Sequence, residues 1–232
     1  MTTQRKLAKN KLDEGFSNRN EDIFRFEATS LQKPVINFLR SNQISLLTGE
    51  SGTGKDTCCL FRGVESVVKK EYESLVIMKP CIEIGQSLGY LKGELAQKTS
   101  PYEKFYQDNL SSMLNKVVYE KIKNKVKFEV SNYLRGNSIN YSFILVSEAQ
   151  NYSLHELMSI VTRVSQSSTI VFNGDLDQQD VRNSGFKDFI KIIQSVDGVG
   201  FMNLGSEYQM RNPIITKINR EYKRFLENKL RN

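Results

Sequence analysis

Gly49, Gly52, Gly54 and Lys55, in the run ISLLTGESGTGKDTCC from Ile44 to Cys59, have the spacing that a phosphate cradle requires. Glycine tolerates positive φ, so a loop rich in it can turn successive amide hydrogens toward one anion. Lys55 would add a point charge on the outer phosphates, and a helix starting beside it would add its positive dipole end. Glu50, Ser51 and Thr53 complete the loop, and the Thr57 hydroxyl is placed for an α-phosphate or, alternatively, a metal ion. The pattern asks for Ser or Thr directly after the lysine, but Asp56 stands there. A glycine-rich turn can also be no more than a tight connection. The apolar stretch before it and the helix-compatible TCCLFRGVESVVKK after it favour phosphate.

Two further groups could share this chemistry. SFILVS, residues 142–147, delivers Ser147 and Glu148, and STIVFN, residues 168–173, delivers Asn173, Gly174, Asp175 and, three residues on, Gln178. A carboxylate at such a place serves a magnesium ion or directs an attacking water, and Glu148 suits the second role. Equally, Glu148 reads as a carboxylate at the start of the helix SLHELMSIV. GDLDQ reads as a turn as well as a site, whereas a Gln178 near a γ-phosphate would sense it by hydrogen bonding.

The elements that must position these groups are short apolar runs separated by helical patterns. Six runs stand out: ISLLT (44–48), SLVIM (74–78), VKFEV (126–130), SFILVS (142–147), STIVFN (168–173) and VGFMNL (199–204). Such runs predict strands covered on both faces, hence an α/β domain with a mostly parallel sheet. In open parallel sheets ligands bind at the carboxyl ends of the strands, where all the polar groups above fall.

With 232 residues, 39% of them hydrophobic and 25% charged, the chain fits one globular domain. Its net charge of +7 suits an anionic partner but does not separate nucleic acid from nucleotide. Cys58, Cys59 and Cys81 are an odd set without paired spacing, so neither a disulfide framework nor a zinc site is expected and a reducing cytoplasm is the simplest compartment. No run reaches membrane-spanning length, and residues 1–25 read as a flexible tail ahead of a domain spanning 26–232. His155 is the sole histidine and takes no role, and no hydrolase triad or nuclease carboxylate cluster is visible.

Together GESGTGK, SEAQN and GDLDQQD, in this order, resemble the PhoH-like family of P-loop ATPases, related to the first RecA-like domain of superfamily 1 helicases. The resemblance continues through KPCIEIGQSLGYLKGEL (79–95), KTSPY (98–102), YLRGNSI (133–139) and YQMRNP (208–213). It implies a single RecA-like domain that binds ATP with Mg2+; the PIN-type nuclease domain that precedes the ATPase in some relatives is not expected from this sequence. Within it, Gly49, Gly52, Gly54 and Lys55 would meet phosphates, Glu148 would be the catalytic acid, and Gln178 the γ-phosphate sensor. Gln32, in SLQKP, is similar to a glutamine that reads the adenine edge, against the alternative of an exposed helix residue. Arg211 is similar to the arginine that reaches the γ-phosphate, against that of a solvated side chain. The strand carrying Asn173 should lie between the loop strand and the Ser147 strand.

Against the family pattern, which has a hydroxyl at 56 and Asp at 147, the hydroxyl and the carboxylate have changed places. Asp56 can supply an oxygen to a hard cation while Ser147 bonds that carboxylate or a metal-bound water, which predicts a working magnesium site built from Asp56 and Ser147. The alternative is a degenerate site in a nucleotide-switched scaffold protein with little hydrolysis.

Lys116, Lys121, Lys123, Lys125 and Lys127, with Tyr119 and Phe128 among them, suit single-stranded RNA or DNA. They suit equally a solvated helix face with Val117, Val118 and Ile122 inward. The C-terminal stretch reads as an amphipathic helix burying Ile214, Ile218, Tyr222 and Phe225. A helicase-like motor needs two such domains, so a homo-oligomer, a ring among the options, is expected, with Arg163 or Arg182 as an arginine donated in trans.

Overall fold

The computed structural model describes residues 23–80, 95–130, 138–178 and 184–212, and after them residues 214, 217, 218, 220–222, 224 and 225. All six apolar runs form strands: β1 (Ile44–Gly49), β2 (Ser74–Lys79), β3 (Val126–Val130), β4 (Ser142–Val146), β5 (Thr169–Gly174) and β6 (Val199–Leu204). They make one sheet of order β3-β2-β4-β5-β1-β6 in which every pairing is parallel. The Asn173 strand therefore lies between the loop strand and the Ser147 strand, as expected.

Helices cover both faces: α1 (Gln32–Ser41), α2 (Lys55–Val68), α3 (Leu95–Met113), α4 (Lys116–Ile122), α5 (Leu154–Val161) and α6 (Phe186–Ile193). Successive strand residues point to opposite faces, so an apolar run supplies two cores at once. Leu47, Leu75, Ile77, Phe143 and Leu145 pack with Val35, Leu39, Cys58, Leu60 and Tyr106 on the side of α1, α2 and α3. Leu46, Val76, Ile144, Val146 and Phe172 meet Leu157, Ile160, Phe186 and Phe189 of α5 and α6 on the other. Cys58 and Cys59 belong to the first core, and burial holds both thiols protonated, Cys58 pushed up to about 12. Cys81 lies outside the described residues.

Three expectations of burial fail. β3 and β6 are the sheet edges, and β6 leaves Phe201 exposed instead of covered on both faces. Val117 is 63% exposed, because in a seven-residue helix Val118 and Ile122 share the inner side while Val117 falls on that of Lys121. Ile214, Ile218, Tyr222 and Phe225 are all exposed: periodicity marks an apolar stripe, but among the described residues nothing packs over it.

The amino-terminal segment is tied down from Ile23. Asn115 N donates to the Ile23 carbonyl at 3.1 Å, Arg25 N donates to the Met113 carbonyl at 2.9 Å, and the Phe24 ring meets Phe61 edge-on at 5.3 Å. Residues 1–22 lie outside the described residues. No helix among the described residues is long and apolar enough to cross a membrane.

Candidate functional site

The turn from β1 into α2 carries positive φ at Gly49, Gly52 and Gly54. Two positions need glycine for space as well. A Cβ at Gly49 would sit 2.6 Å from the Leu204 carbonyl oxygen, and one at Gly52 would strike Gln209 Oε1 and the Arg211 side chain. Residues 209–211 cross the loop closely: Met210 N donates to the Gly52 carbonyl at 3.0 Å and Gln209 Nε2 to the Ser51 carbonyl at 3.1 Å. YQMRNP thus braces the phosphate loop and delivers Arg211 to it.

Lys55 runs back along the loop, its Nζ donating to the carbonyls of Gly49 at 2.6 Å and Glu50 at 2.8 Å. The Thr53 hydroxyl also donates to the Glu50 carbonyl, at 2.8 Å, so Glu50 and Thr53 shape the loop from within. Burial lowers the Lys55 pKa, opposed by the negative charges of Asp175, Asp56 and Glu148.

A cavity of about 220 Å³ opens at the carboxyl ends of β1, β4 and β5. Ser51, Gly52, Gly54, Lys55, Asp56 and Thr57 line one side. Glu148, Gln178 and Arg211 line the rest with Phe105 of α3 and the end of β5. Groups far apart in the chain are thus brought together. Gln32 sits behind the loop, 5% exposed, its Nε2 lying 3.6 Å from where a Gly54 Cβ would be. That burial corrects the alternative of an exposed helix residue. Its Oε1 accepts from Thr29 N at 3.0 Å while Thr29 Oγ1 accepts from Gln32 N at 3.3 Å, a reciprocal pair across the turn that leads into α1.

Glu148 follows β4 with φ 54° and ψ 44°, a left-handed conformation that a residue with a Cβ adopts at a cost. It does not cap α5. Ser153 and Glu156 cap that helix reciprocally, which removes the helix-start reading of Glu148. Gln150 Nε2 donates to Glu148 Oε2 at 2.6 Å and Gln150 Oε1 accepts from Asp175 N at 3.0 Å, so one buried amide ties two strand ends together.

Asp56 Oδ1 accepts from Ser147 Oγ at 3.2 Å and from Asn173 Nδ2 at 2.7 Å. Of the two ways open to Ser147, the structure has the bond to the carboxylate, and Ser147 itself is buried behind Asp56. Asn173 Oδ1 is buried without a hydrogen-bond partner among the described residues. Such an oxygen beside a carboxylate suits a hydrated cation, whose waters donate hydrogen bonds. No group of three or more His, Cys, Asp and Glu side chains able to hold a metal by themselves occurs among the described residues. Magnesium bound through one carboxylate and substrate phosphates needs no such group.

Sequence reasoning set Asp175 and Asn173 at a strand end without giving either a role, and it missed Gln150. Asp175 Oδ1 accepts from Asp177 N at 3.0 Å, which is the turn chemistry of GDLDQ. Its Oδ2 accepts from Ser51 N at 2.9 Å and so holds the phosphate loop against β5. The signal was the acidic side chain at a strand end, which fitted a turn equally well.

One expected residue stands apart from this site. Arg163 precedes β5, its carbonyl accepting from Ile139 N at 2.8 Å, and so stands at the opposite end of the sheet. Arg182, like most of 79–95 and 133–139, falls outside the described residues. Lys116, Lys121, Lys123, Lys125 and Lys127 are exposed, and Tyr119 and Phe128 line a separate cavity of about 440 Å³ between α3, α4 and β3.

The family model described as PhoH-like protein matches residues 27–223. Among curated relatives, a PhoH-like protein of Synechocystis is 29% identical over 201 residues, covering 84% of this chain and 61% of the relative. A PhoH-like protein of Bacillus subtilis is 25% identical, covering 82% and 61%. Protein PhoH of Escherichia coli K12 is 26% identical, covering 76% and 52%. The chain thus spans about half to three-fifths of the length of these relatives. Among solved structures, Bacteroides Pif1 bound to ssDNA aligns with a TM-score of 0.38 at 12% identity, covering 83% of this chain and 45% of that one.

Proposed function

The chain belongs to the PhoH-like family of P-loop proteins, and from that premise we propose that it is a magnesium-dependent ATPase. The observation that carries this reading is convergence. Lys55 and Asp56, Glu148, Gln178 and Arg211 come from four separate stretches of sequence and border one cavity at the carboxyl ends of three parallel strands.

Each residue has a task that its position supports. The amides of 49–54 and the α2 amino terminus bind the phosphate chain, and Lys55 leaves its two carbonyls to balance charge on the outer phosphates. Glu148, oriented by Gln150, accepts a proton from the attacking water. Gln178 senses the γ-phosphate, and the planar fork of Arg211 meets the charge that develops there. Thr57 bonds the α-phosphate, and Gln32 reads the adenine edge. Magnesium, when bound with ATP, would supply positive charge that offsets the phosphates, and Asp56, fixed by Ser147 and Asn173, would hold it.

The proposal extends to single-stranded RNA or DNA, which the exposed lysines around Tyr119 and Phe128 favour, and to assembly of several copies. Arg163, at the far end of the sheet, could serve a site only across a subunit boundary.

Single-turnover phosphate release, with and without single-stranded RNA or DNA, tests the reading. Release should require Mg2+, disappear in Lys55→Ala, and fall by about 10² or more in Glu148→Gln while ATP stays bound. ATP held without turnover by the unaltered chain would sink hydrolysis and leave the nucleotide-switched scaffold.

A further inference from the structure

Tyr106 is one of the largest fully buried side chains of the molecule, 1% exposed, on α3. Its ring packs against Phe105 at 5.3 Å and Phe128 at 6.0 Å, contacts a phenylalanine would make equally well. What a phenylalanine lacks is the hydroxyl, and a buried hydroxyl costs stability unless it is bonded. This one donates to Ser147 Oγ at 2.9 Å.

The direction of donation follows from the chemistry. A carboxylate only accepts, so Ser147 must spend its single hydrogen on Asp56, and Tyr106 can therefore only donate to Ser147. Both bonds to Asp56, from Ser147 and from Asn173, fall on Oδ1, which leaves Oδ2 without a partner among the described residues, on a side chain that lines the cavity. Without the tyrosine hydroxyl, Ser147 Oγ loses the donor that fixes its position, and its bond to Asp56 is held less firmly.

We propose that Tyr106 is a positioning residue for the magnesium-binding carboxylate, fixing the orientation of Asp56 through Ser147. The inference rests on the reading of Asp56 as a magnesium ligand. Partners behind a metal ligand set its orientation, and losing one typically costs about 10- to 100-fold in metal affinity. α3 also supplies Phe105 to the cavity wall, so the packing of this helix and the geometry of the metal site are joined by one hydrogen bond.

The experiment measures binding of a fluorescent ATP analogue by the full chain, in EDTA and across a Mg2+ titration, for the unaltered protein, Tyr106→Phe, Ser147→Ala and the double variant. Tyr106→Phe should raise the Mg2+ concentration at half effect about tenfold and leave affinity in EDTA unchanged. In the Ser147→Ala background it should add nothing, because the hydroxyl acts only through Ser147. An equal loss with and without Mg2+ would mean a packing role, and no shift or a fully additive one would likewise overturn the proposal. If the unaltered protein gains no affinity from Mg2+, the magnesium reading of Asp56 fails first and takes this inference with it.

Discussion

Ser147 donates its hydroxyl hydrogen to Asp56 Oδ1 across 3.2 Å, so the two positions read from the sequence as an exchanged pair touch. A hydroxyl and a carboxylate in contact can change places while the pair keeps one acceptor for a cation and one donor to hold it. Asp56→Thr should leave two hydroxyls and no carboxylate, and Ser147→Asp should set two carboxylates against each other. Each single change should cost about 10- to 100-fold in the Mg2+ dependence of hydrolysis, and the double change should recover most of it. A double variant no better than the worse single would end the exchange idea.

Glu148 holds φ 54° and ψ 44°, and this strain can be separated from its chemistry. Glu148→Ala and Glu148→Gly both remove the carboxylate and its bond to Gln150, so turnover should be lost in both. They differ in backbone alone. Relief of the left-handed conformation, worth about 1–2 kcal/mol, should make the glycine variant the more stable of the two by about 1 kcal/mol, the reverse of their order in a helix interior. Urea unfolding of the two variants decides it, and an alanine variant the more stable by about 1 kcal/mol, the order of a helix interior, would show that no strain is stored there.

Much of this arrangement was legible in the chain, for reasons that also mark the limits. The four inner strands read clearly because runs such as SFILVS must be apolar on both faces, and parallel order then placed Gly49, Glu148 and Gln178 at one end. β3 and β6 read as strands too, but nothing in VKFEV or VGFMNL says that each closes an edge. Apart from the bond between Ser147 and Asp56, the bonds that tune the site were not legible. Tyr106 meets Ser147 over a separation of 41 residues, and Asn173 meets Asp56 over 117. Such pairs leave no local period or spacing, only two polar residues in apolar surroundings. Asp175 was hidden for another reason, since one of its oxygens does serve the turn it was read as.

Burial lowers the Lys55 pKa below its ordinary value, with a consequence on the alkaline side. A lysine whose folded pKa is depressed loses its charge in the folded protein at a pH where the unfolded chain still carries it. The cost of burying that charge is present at neutral pH and is relieved as pH rises through the folded pKa toward 10.5, so this residue adds stability in that window. Nucleotide binding responds oppositely, because the phosphates need the charge. ATP affinity should begin to fall below pH 10.5, and Lys55→Arg, weaker at neutral pH for its different reach, should show no such limb. Titration of ATP affinity against pH checks both, and a limb at the ordinary lysine pKa would refute the shift.

Asp175 holds the phosphate loop with one oxygen and its own turn with the other, at 2.9 Å from Ser51 N and 3.0 Å from Asp177 N. An asparagine has a single acceptor oxygen, so Asp175→Asn can satisfy only one of these amides and turns an NH2 toward the other. A hydrogen bond to a charged group contributes about 1.5–3 kcal/mol, so if the loop amide is the one abandoned, ATP affinity should fall about 10- to 100-fold. The same change removes the largest of the negative charges that oppose the lowering of the Lys55 pKa. The alkaline fall in affinity should therefore move to still lower pH in Asp175→Asn. Ser51→Pro, which deletes the amide hydrogen and keeps the Asp175 charge, should weaken binding and leave the limb where it was. Coincident limbs in the unaltered chain and Asp175→Asn would show that Asp175 anchors the loop without acting on the lysine.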